Sequence, residues 1–280
     1  MTVPAPRDGL RGTVQRRLWT ACLRRCSPLD PPALAASALI LAPHPDDETL
    51  GCGGMIARKL AAGAELRVAV LSDGTASHAR FVAAAELRQR RREELEQATA
   101  ALGLPGSALH CLDLPDGNLQ ARLPDAVAAL RPLIERFRPR QLFLPCRGDQ
   151  LPDHLATRAA GLEAARLAGP PLQVYGYPVW FWNHWPWLRR NALGPDTPLA
   201  ALGRFLRGGA ALLRDFRIRV DLDGATLARK RAALAMHRSQ VERPAGQPDW
   251  PVLSDVGAGD LLRCLLREVE IYSVEGLPTA

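Results

Sequence analysis

The stretch Ala38-Leu39-Ile40-Leu41-Ala42-Pro43-His44-Pro45-Asp46-Asp47-Glu48-Thr49-Leu50-Gly51 decides the fold. Its first five residues form an apolar run closed by proline, the pattern of a strand buried on both faces. Residues 51–62 have helical composition and stop at Gly63, and residues 66–71 (Leu-Arg-Val-Ala-Val-Leu) read as a second strand ending at Ser72-Asp73-Gly74. Strand, helix and strand in that order make a βαβ unit, whose two strands lie parallel.

Outward from this unit the rhythm repeats. Residues 79–102 predict a long helix closed by Gly103, and residues 108–112 a third strand before the turn Pro115-Asp116-Gly117. Residues 125–137 read as a helix despite Pro132, and residues 141–145 as a fourth strand opening into Arg147-Gly148-Asp149. Further on, residues 218–222 and 268–274 read as strands and 226–240 as a helix. Residues 174–187 are dense in aromatics, and residues 191–209, rich in Gly, Pro and Ala, read as a loop or lid. The alternation predicts a three-layer, Rossmann-like α/β fold with a mainly parallel sheet flanked by helices and an active site at the carboxyl ends of the strands. Residues 34–280 are expected to form one domain, preceded by an N-terminal basic arm or helix over 1–33.

Composition narrows the function. Thirty-six Lys and Arg against 29 Asp and Glu give a net charge of +7, almost all of it from arginine, since Lys59 and Lys230 are the only lysines. No aromatic and basic module of the RNA-binding kind accompanies that charge, so nucleic acid is not the expected partner. Cys22, Cys26, Cys52, Cys111, Cys146 and Cys264 lack paired spacing and read as reduced core thiols. The early apolar run at 33–42 is too short to cross a bilayer and lacks a signal-peptide pattern, so a cytoplasmic protein is expected. The basic, amphipathic residues 10–26 make the N-terminal arm the candidate for peripheral membrane contact, against the plainer reading of a helix packed on the domain.

The chemistry lies where the first strand ends. An imidazole and three consecutive carboxylates there raise one another's pKa and resist folding unless a cation offsets them. Two histidines and one carboxylate with an open position for water are a catalytic zinc donor set. His154, in Asp149-Gln150-Leu151-Pro152-Asp153-His154 after the fourth strand, is brought by the topology to the same end of the sheet as His44. His78, His110 and His184, each alone, read as satisfied histidines. Gly51, Gly53 and Gly54 match neither a dinucleotide nor a P-loop fingerprint and read as glycines that let the helix start approach the metal loop. The aromatics of 175–187 are a sugar-stacking wall, an acyl-chain groove or ordinary core.

With these motifs in this order, the sequence resembles the LmbE-like or PIG-L deacetylases, zinc enzymes that hydrolyse N-acetyl groups on glucosamine-containing glycolipids, small thiol precursors and glycosylated antibiotics. The likeness runs from about residue 39 to 240. It rests on Pro43-His44-Pro45-Asp46-Asp47-Glu48, Leu71-Ser72-Asp73-Gly74, Arg91-x-x-Glu94 with Leu102-Gly103, Asp116-Gly117, Pro152-Asp153-His154 and His237-Arg238-Ser239-Gln240. The resemblance implies one Zn2+ per chain held by His44, Asp47 and His154, Asp46 as general base, and Arg91 paired with Asp116 to hold sugar hydroxyls. Asp153 is expected to orient a ligand imidazole rather than bind the metal.

One departure stands out. Many members carry a histidine two residues before the Asp-His pair, where it assists the oxyanion or protonates the leaving amine, and this chain has Leu151. His237 is the expected general acid, with His184 or a proton shuttle on Asp46 as the other routes. The expected substrate is a small-molecule or lipid-linked amino sugar. The alternatives are an amidase on another N-acyl or thiol conjugate and a catalytically degenerate sugar- or lipid-binding protein.

Overall fold

The structure, a computed structural model, describes residues 9–169, 171–195 and 197–275. Eight strands form one sheet: β1 (Ser27–Pro28), β2 (Ala38–Ala42), β3 (Leu66–Ser72), β4 (Leu109–Leu114), β5 (Gln141–Pro145), β6 (Gln173–Tyr177), β7 (Phe216–Asp221) and β8 (Val269–Glu275), in the order β1-β7-β8-β6-β5-β2-β3-β4. Every pair is parallel except those made by β8, which runs antiparallel between β6 and β7.

The helices are α1 (Leu10–Leu23), α2 (Pro31–Ala35), α3 (Asp47–Ala61), α4 (Ala84–Leu102), α5 (Leu123–Phe137), α6 (Pro152–Ala168), α7 (Pro198–Asp215), α8 (Gly224–Met236), α9 (Arg238–Val241) and α10 (Asp260–Leu265). Alternate residues of β2 divide the core. Ala38, Ile40 and Ala42 pack with α3 and α8, whereas Leu39 and Leu41 pack with α5 and α6 on the other face. This two-sided burial gives β2 its uninterrupted apolar run. None of the helices is long and apolar enough to cross a membrane among the described residues.

The strand order reverses at β2: β3 and β4 lie to one side, β5 and β6 to the other. Such a switch point opens a crevice beyond the carboxyl ends of the two central strands. The loop after β2, which carries His44, and the loop after β5, which leads into α6 and His154 in its first turn, both leave the sheet there.

Several elements differ from expectation. α3 starts at Asp47, so Asp47 and Glu48 occupy its first turn, where the helix dipole favours anions. Residues 198–209, the larger part of the stretch 191–209 expected as loop or lid, belong to α7. Within the described residues 9–33 the chain packs on the rest: β1 pairs with β7, and Arg11 donates to the carbonyls of Pro186 and Trp187 and pairs with Asp260 at 2.6 Å. Residues 1–8 and 276–280 of the two expected units lie outside the described residues.

The glycines of α3 serve packing from outside the metal loop. A Cβ at Gly51 would collide with the Tyr177 ring, whose hydroxyl donates to Leu41 O at 2.7 Å. Beneath them Glu270 accepts from the Gly54 and Met55 amides at 2.7 and 2.8 Å and pairs with buried Lys230 at 2.7 Å. The ion pair fixes the first turns of α3 against β8 and α8.

Candidate metal centre

The loop after β2 holds an unusual backbone. Asp46 has φ 136° and ψ −28°, a conformation that costs a non-glycine residue on the order of 1–3 kcal/mol. Glu48 secures it: one carboxylate oxygen accepts from the Asp46 amide at 3.0 Å, and the other from Thr49 Oγ1 at 2.6 Å and His237 Nε2 at 3.2 Å. The third carboxylate of the run is therefore a brace for the first.

Asp47 is where the two predicted histidines meet. Its Oδ2 lies 3.0 Å from His44 Nδ1 and 3.2 Å from His154 Nε2. The far nitrogen of each ring faces a carboxylate: His44 Nε2 is 3.2 Å from Asp116 Oδ1 and 3.5 Å from Asp153 Oδ2, and His154 Nδ1 is 3.4 Å from Asp149 Oδ1. An imidazole with one nitrogen at a shared centre and the other on a carboxylate is the arrangement of metal-binding histidines. His154 is fully buried, and neither of its nitrogens has a well-aligned hydrogen-bond partner. Ligand atoms of His44, Asp47 and His154 lie within 4.8 Å of one another, close enough to hold a single ion. The donor set therefore fits a divalent cation.

Electrostatics follow the geometry. Burial alone would lower the pKa of His154, but Asp47 and Asp149 outweigh it and hold it up at about 9. His44 likewise would be lowered by burial and is raised well above its ordinary value by Asp116, Asp153 and Asp47. For Asp47 burial pushes upward, and the two imidazoles, His154 foremost, pull it below the ordinary carboxylate range. Asp46 behaves oppositely: burial, then the neighbouring Asp47 charge, raise it to about 7, against the pull of His237 and Arg91. A cation at the ligands would draw it down again.

A cavity of about 460 Å³ opens over this centre. Its lining is of two kinds, polar from His44, Asp46, Asp47, Arg91, Asp116 and Gln240, and apolar from Leu151, Val179, Trp180, Val252, Val256 and Leu261. Arg91 is buried, donating to Ser77 Oγ at 2.9 Å and to His78 Nδ1 at 3.1 Å. Gly74, at φ 68°, permits this approach, since a Cβ there would stand 2.8 Å from Arg91 Nη1. The expected direct pair of Arg91 with Asp116 is not formed. Asp116 instead accepts from the Ala76 amide at 2.8 Å and faces His44. Asp153 accepts from the Gly117 and Leu119 amides at 2.8 and 3.1 Å, tying that turn to His44.

The expected general acid lies elsewhere. His237 is fully buried behind Glu48 and does not line the cavity. His184 also stays outside it: Nδ1 faces Trp185 O at 3.0 Å and the ring packs on Gly208. Of the aromatics at 175–187, Trp180 alone lines the cavity, while Tyr177, Trp182 and Trp187 are core.

Sequence reasoning missed several residues at the centre. Asp149, whose other oxygen accepts from the Val179 and Trp180 amides at 3.0 Å each, was signalled by a carboxylate five residues before His154 at a strand end. His78, expected to be an ordinary histidine, lines the cavity with Nε2 2.9 Å from Pro251 O. A lone histidine in a loop carried no sign of that.

A family model described as PIG-L, GlcNAc-PI de-N-acetylase, matches residues 39–165. A 1D-myo-inositol 2-acetamido-2-deoxy-α-D-glucopyranoside deacetylase of Rhodococcus erythropolis is 30% identical over 246 residues, covering 75% of this chain and 82% of the relative. The solved N,N′-diacetylchitobiose deacetylase of Pyrococcus horikoshii has a TM-score of 0.62 at 17% identity, over 96% of this chain and 94% of that one. A 4-carboxy-2-hydroxymuconate hydratase of Pseudomonas putida reaches 0.57 at 18% identity, over 88% and 97%. At these identities both structures show likeness of fold alone.

Proposed function

The chain belongs to the PIG-L (LmbE-like) family of deacetylases, and from that premise we propose that it is a zinc-dependent hydrolase removing the N-acetyl group from a glucosamine-containing small molecule or glycolipid. The observation that supports this most directly is the pair of imidazoles that share Asp47 Oδ2 and are each backed by a carboxylate. His44, Asp47 and His154 would hold one Zn2+, a cation that suits two imidazoles and a carboxylate. When bound, zinc polarises an amide carbonyl and acidifies water.

The chain's own residues supply the rest. Asp46, braced by Glu48 and facing the cavity, accepts the proton of the attacking water. The carbon–nitrogen bond breaks as that proton passes to the departing nitrogen, leaving acetate and an amine. His78 cannot deliver it: Nδ1 accepts from Arg91, and Nε2 is engaged by Pro251 O. With Leu151 apolar and His237 and His184 off the cavity, the proton returns from Asp46 itself, and His237 acts as a positioning residue on Glu48. Arg91 presents its guanidinium to sugar hydroxyls, while Asp116, Asp149 and Asp153 orient the two imidazoles.

The hydratase of the same fold is a reminder that architecture alone does not choose a reaction. A binding protein, for its part, would have no need of a strained carboxyl beside a metal-type donor set. The test is acetate release from inositol-, chitobiose- and lipid-linked N-acetylglucosamine by zinc-loaded protein, Asp46→Ala and His154→Ala. Release by the unaltered protein alone is expected. No release from any conjugate at one bound zinc per chain would overturn the reading.

A further inference from the structure

α7 presents an apolar face to solvent. Leu199, Leu202 and Leu206 are 79%, 51% and 58% exposed and, with exposed Ala210, fall on one stripe about 80° wide. The other side is already occupied: Gly208 and Leu212 are buried, the His184 ring packs on Gly208, and Phe205 meets Trp185 at 4.9 Å. A helix that is apolar outward as well as inward has an unpaired surface.

Charge identifies what the surface suits. Exposed Arg207 and Arg214 run along one edge of the leucine stripe, and the helix carries a single acid, Asp215, at its last position, already paired with Arg214 at 2.6 Å. Leucines flanked by guanidinium groups, with no free carboxylate, fit the boundary between acyl chains and anionic headgroups, where arginines reach outward as leucines sink. α1, packed against α7, adds exposed Leu10, Arg16 and Arg17.

Topology aims this surface. β6 and β7 are each antiparallel to β8 and so parallel to each other, which requires the chain between them to return from the carboxyl to the amino end of the sheet. α7 makes that return, so Leu199 and Leu202 sit at the end of the sheet that carries the cavity.

We propose that α7 is an interfacial helix that lies along an anionic lipid surface, its first turns at the cavity's end of the sheet. This goes beyond the deacetylase reading and does not depend on it. The test is co-sedimentation with vesicles of phosphatidylcholine alone or with phosphatidylglycerol. Binding to the anionic vesicles should be at least about tenfold tighter, and Leu202→Glu/Leu206→Glu should remove it. Arg207→Gln and Arg214→Gln should each weaken binding by about fivefold, on the anionic vesicles only.

All of these positions are exposed, so the variants should keep the helical circular dichroism of the parent and its hydrolysis of a water-soluble conjugate. Failure to sediment with either vesicle, or sedimentation indifferent to the leucine substitutions, would overturn the proposal and leave the deacetylase reading intact. A dimer in sedimentation velocity that the leucine substitutions dissociate, without lipid binding, would overturn it too and assign the face to a second copy of the chain.

Discussion

The two walls of the cavity come from different parts of the chain and obey different physics. The polar wall is built from 44–50, 76–78, 91 and 116, in the first half of the sequence, with Gln240 added from the second, and its side chains are fixed by hydrogen bonds to one another and to the backbone. The apolar wall comes mainly from 179–180 and 251–261, short segments that are irregular up to the start of α10 and are held largely by packing and by a few tethers such as His78 to Pro251. Hydrogen-bonded charge is directional and tolerates little displacement, whereas apolar contact is not directional and adapts. The first wall therefore sets the reaction and the second sets what the reaction is performed on.

Asp46→Asn should break the first half of that division most severely. The amide cannot accept the water proton, so kcat should fall by about 10²–10⁴-fold with KM little changed. A matching rise in KM would mean that Asp46 binds substrate instead. Stripping the cation is the next largest effect: at a cation concentration one hundred times its Kd the folded state gains about 2.7 kcal/mol. Adding zinc to stripped protein should raise the unfolding temperature and slow amide exchange around 44–50 and 149–156, leaving 251–261 unaffected. His154→Ala should abolish the thermal shift.

The apolar wall should answer differently. Trp180→Ala removes a ring facing the centre and is expected to raise KM about tenfold, equivalent to about 1.4 kcal/mol, with kcat within about twofold. A drop in kcat alone would show that the ring orients the reacting amide and that the two walls do not divide as described.

The same contrast governs what was legible in the sequence. The bounds of β2 and β5 could be read because both strands are buried on both faces, and His44, Asp47 and His154 stood out as candidate donors because charges at a strand end have few purposes. α7 could not, since Gly203, Gly208 and Gly209 depress helix propensity, and the reason for one of them, room for the His184 ring, exists only in the folded chain. α6 did carry signals, Pro152 at its start and Gly169 in the left-handed region at its end, though no helix was expected there. Residues 251–261 give no periodicity, and their place on the wall follows from tertiary packing. The expected roles of His237 and of an Arg91–Asp116 pair rested on resemblance of motifs, which does not fix on which side of Glu48 a ring will lie.

The smallest expected effect tests the tether that joins the walls. His78 accepts from Arg91 at Nδ1 and meets Pro251 O at Nε2, an arrangement that suits the neutral ring donating from Nε2. Burial, and then the charges of Arg91 and Arg90, lower its pKa against the raising effect of the Pro251 carbonyl. The unfolded chain therefore takes up a proton below the ordinary histidine value of about 6.5 before the folded chain does. Stability from neutral His78 is then fully present above that pH and is lost as the pH falls toward the lower folded value. Urea midpoints at pH 7.5 and 5.5 should drop less in His78→Gln than in the unaltered protein, because the amide can keep a donor toward Pro251 without titrating. An equal drop in both would mean that His78 does not carry this acid sensitivity and that packing alone, without the tether, holds the apolar wall in place.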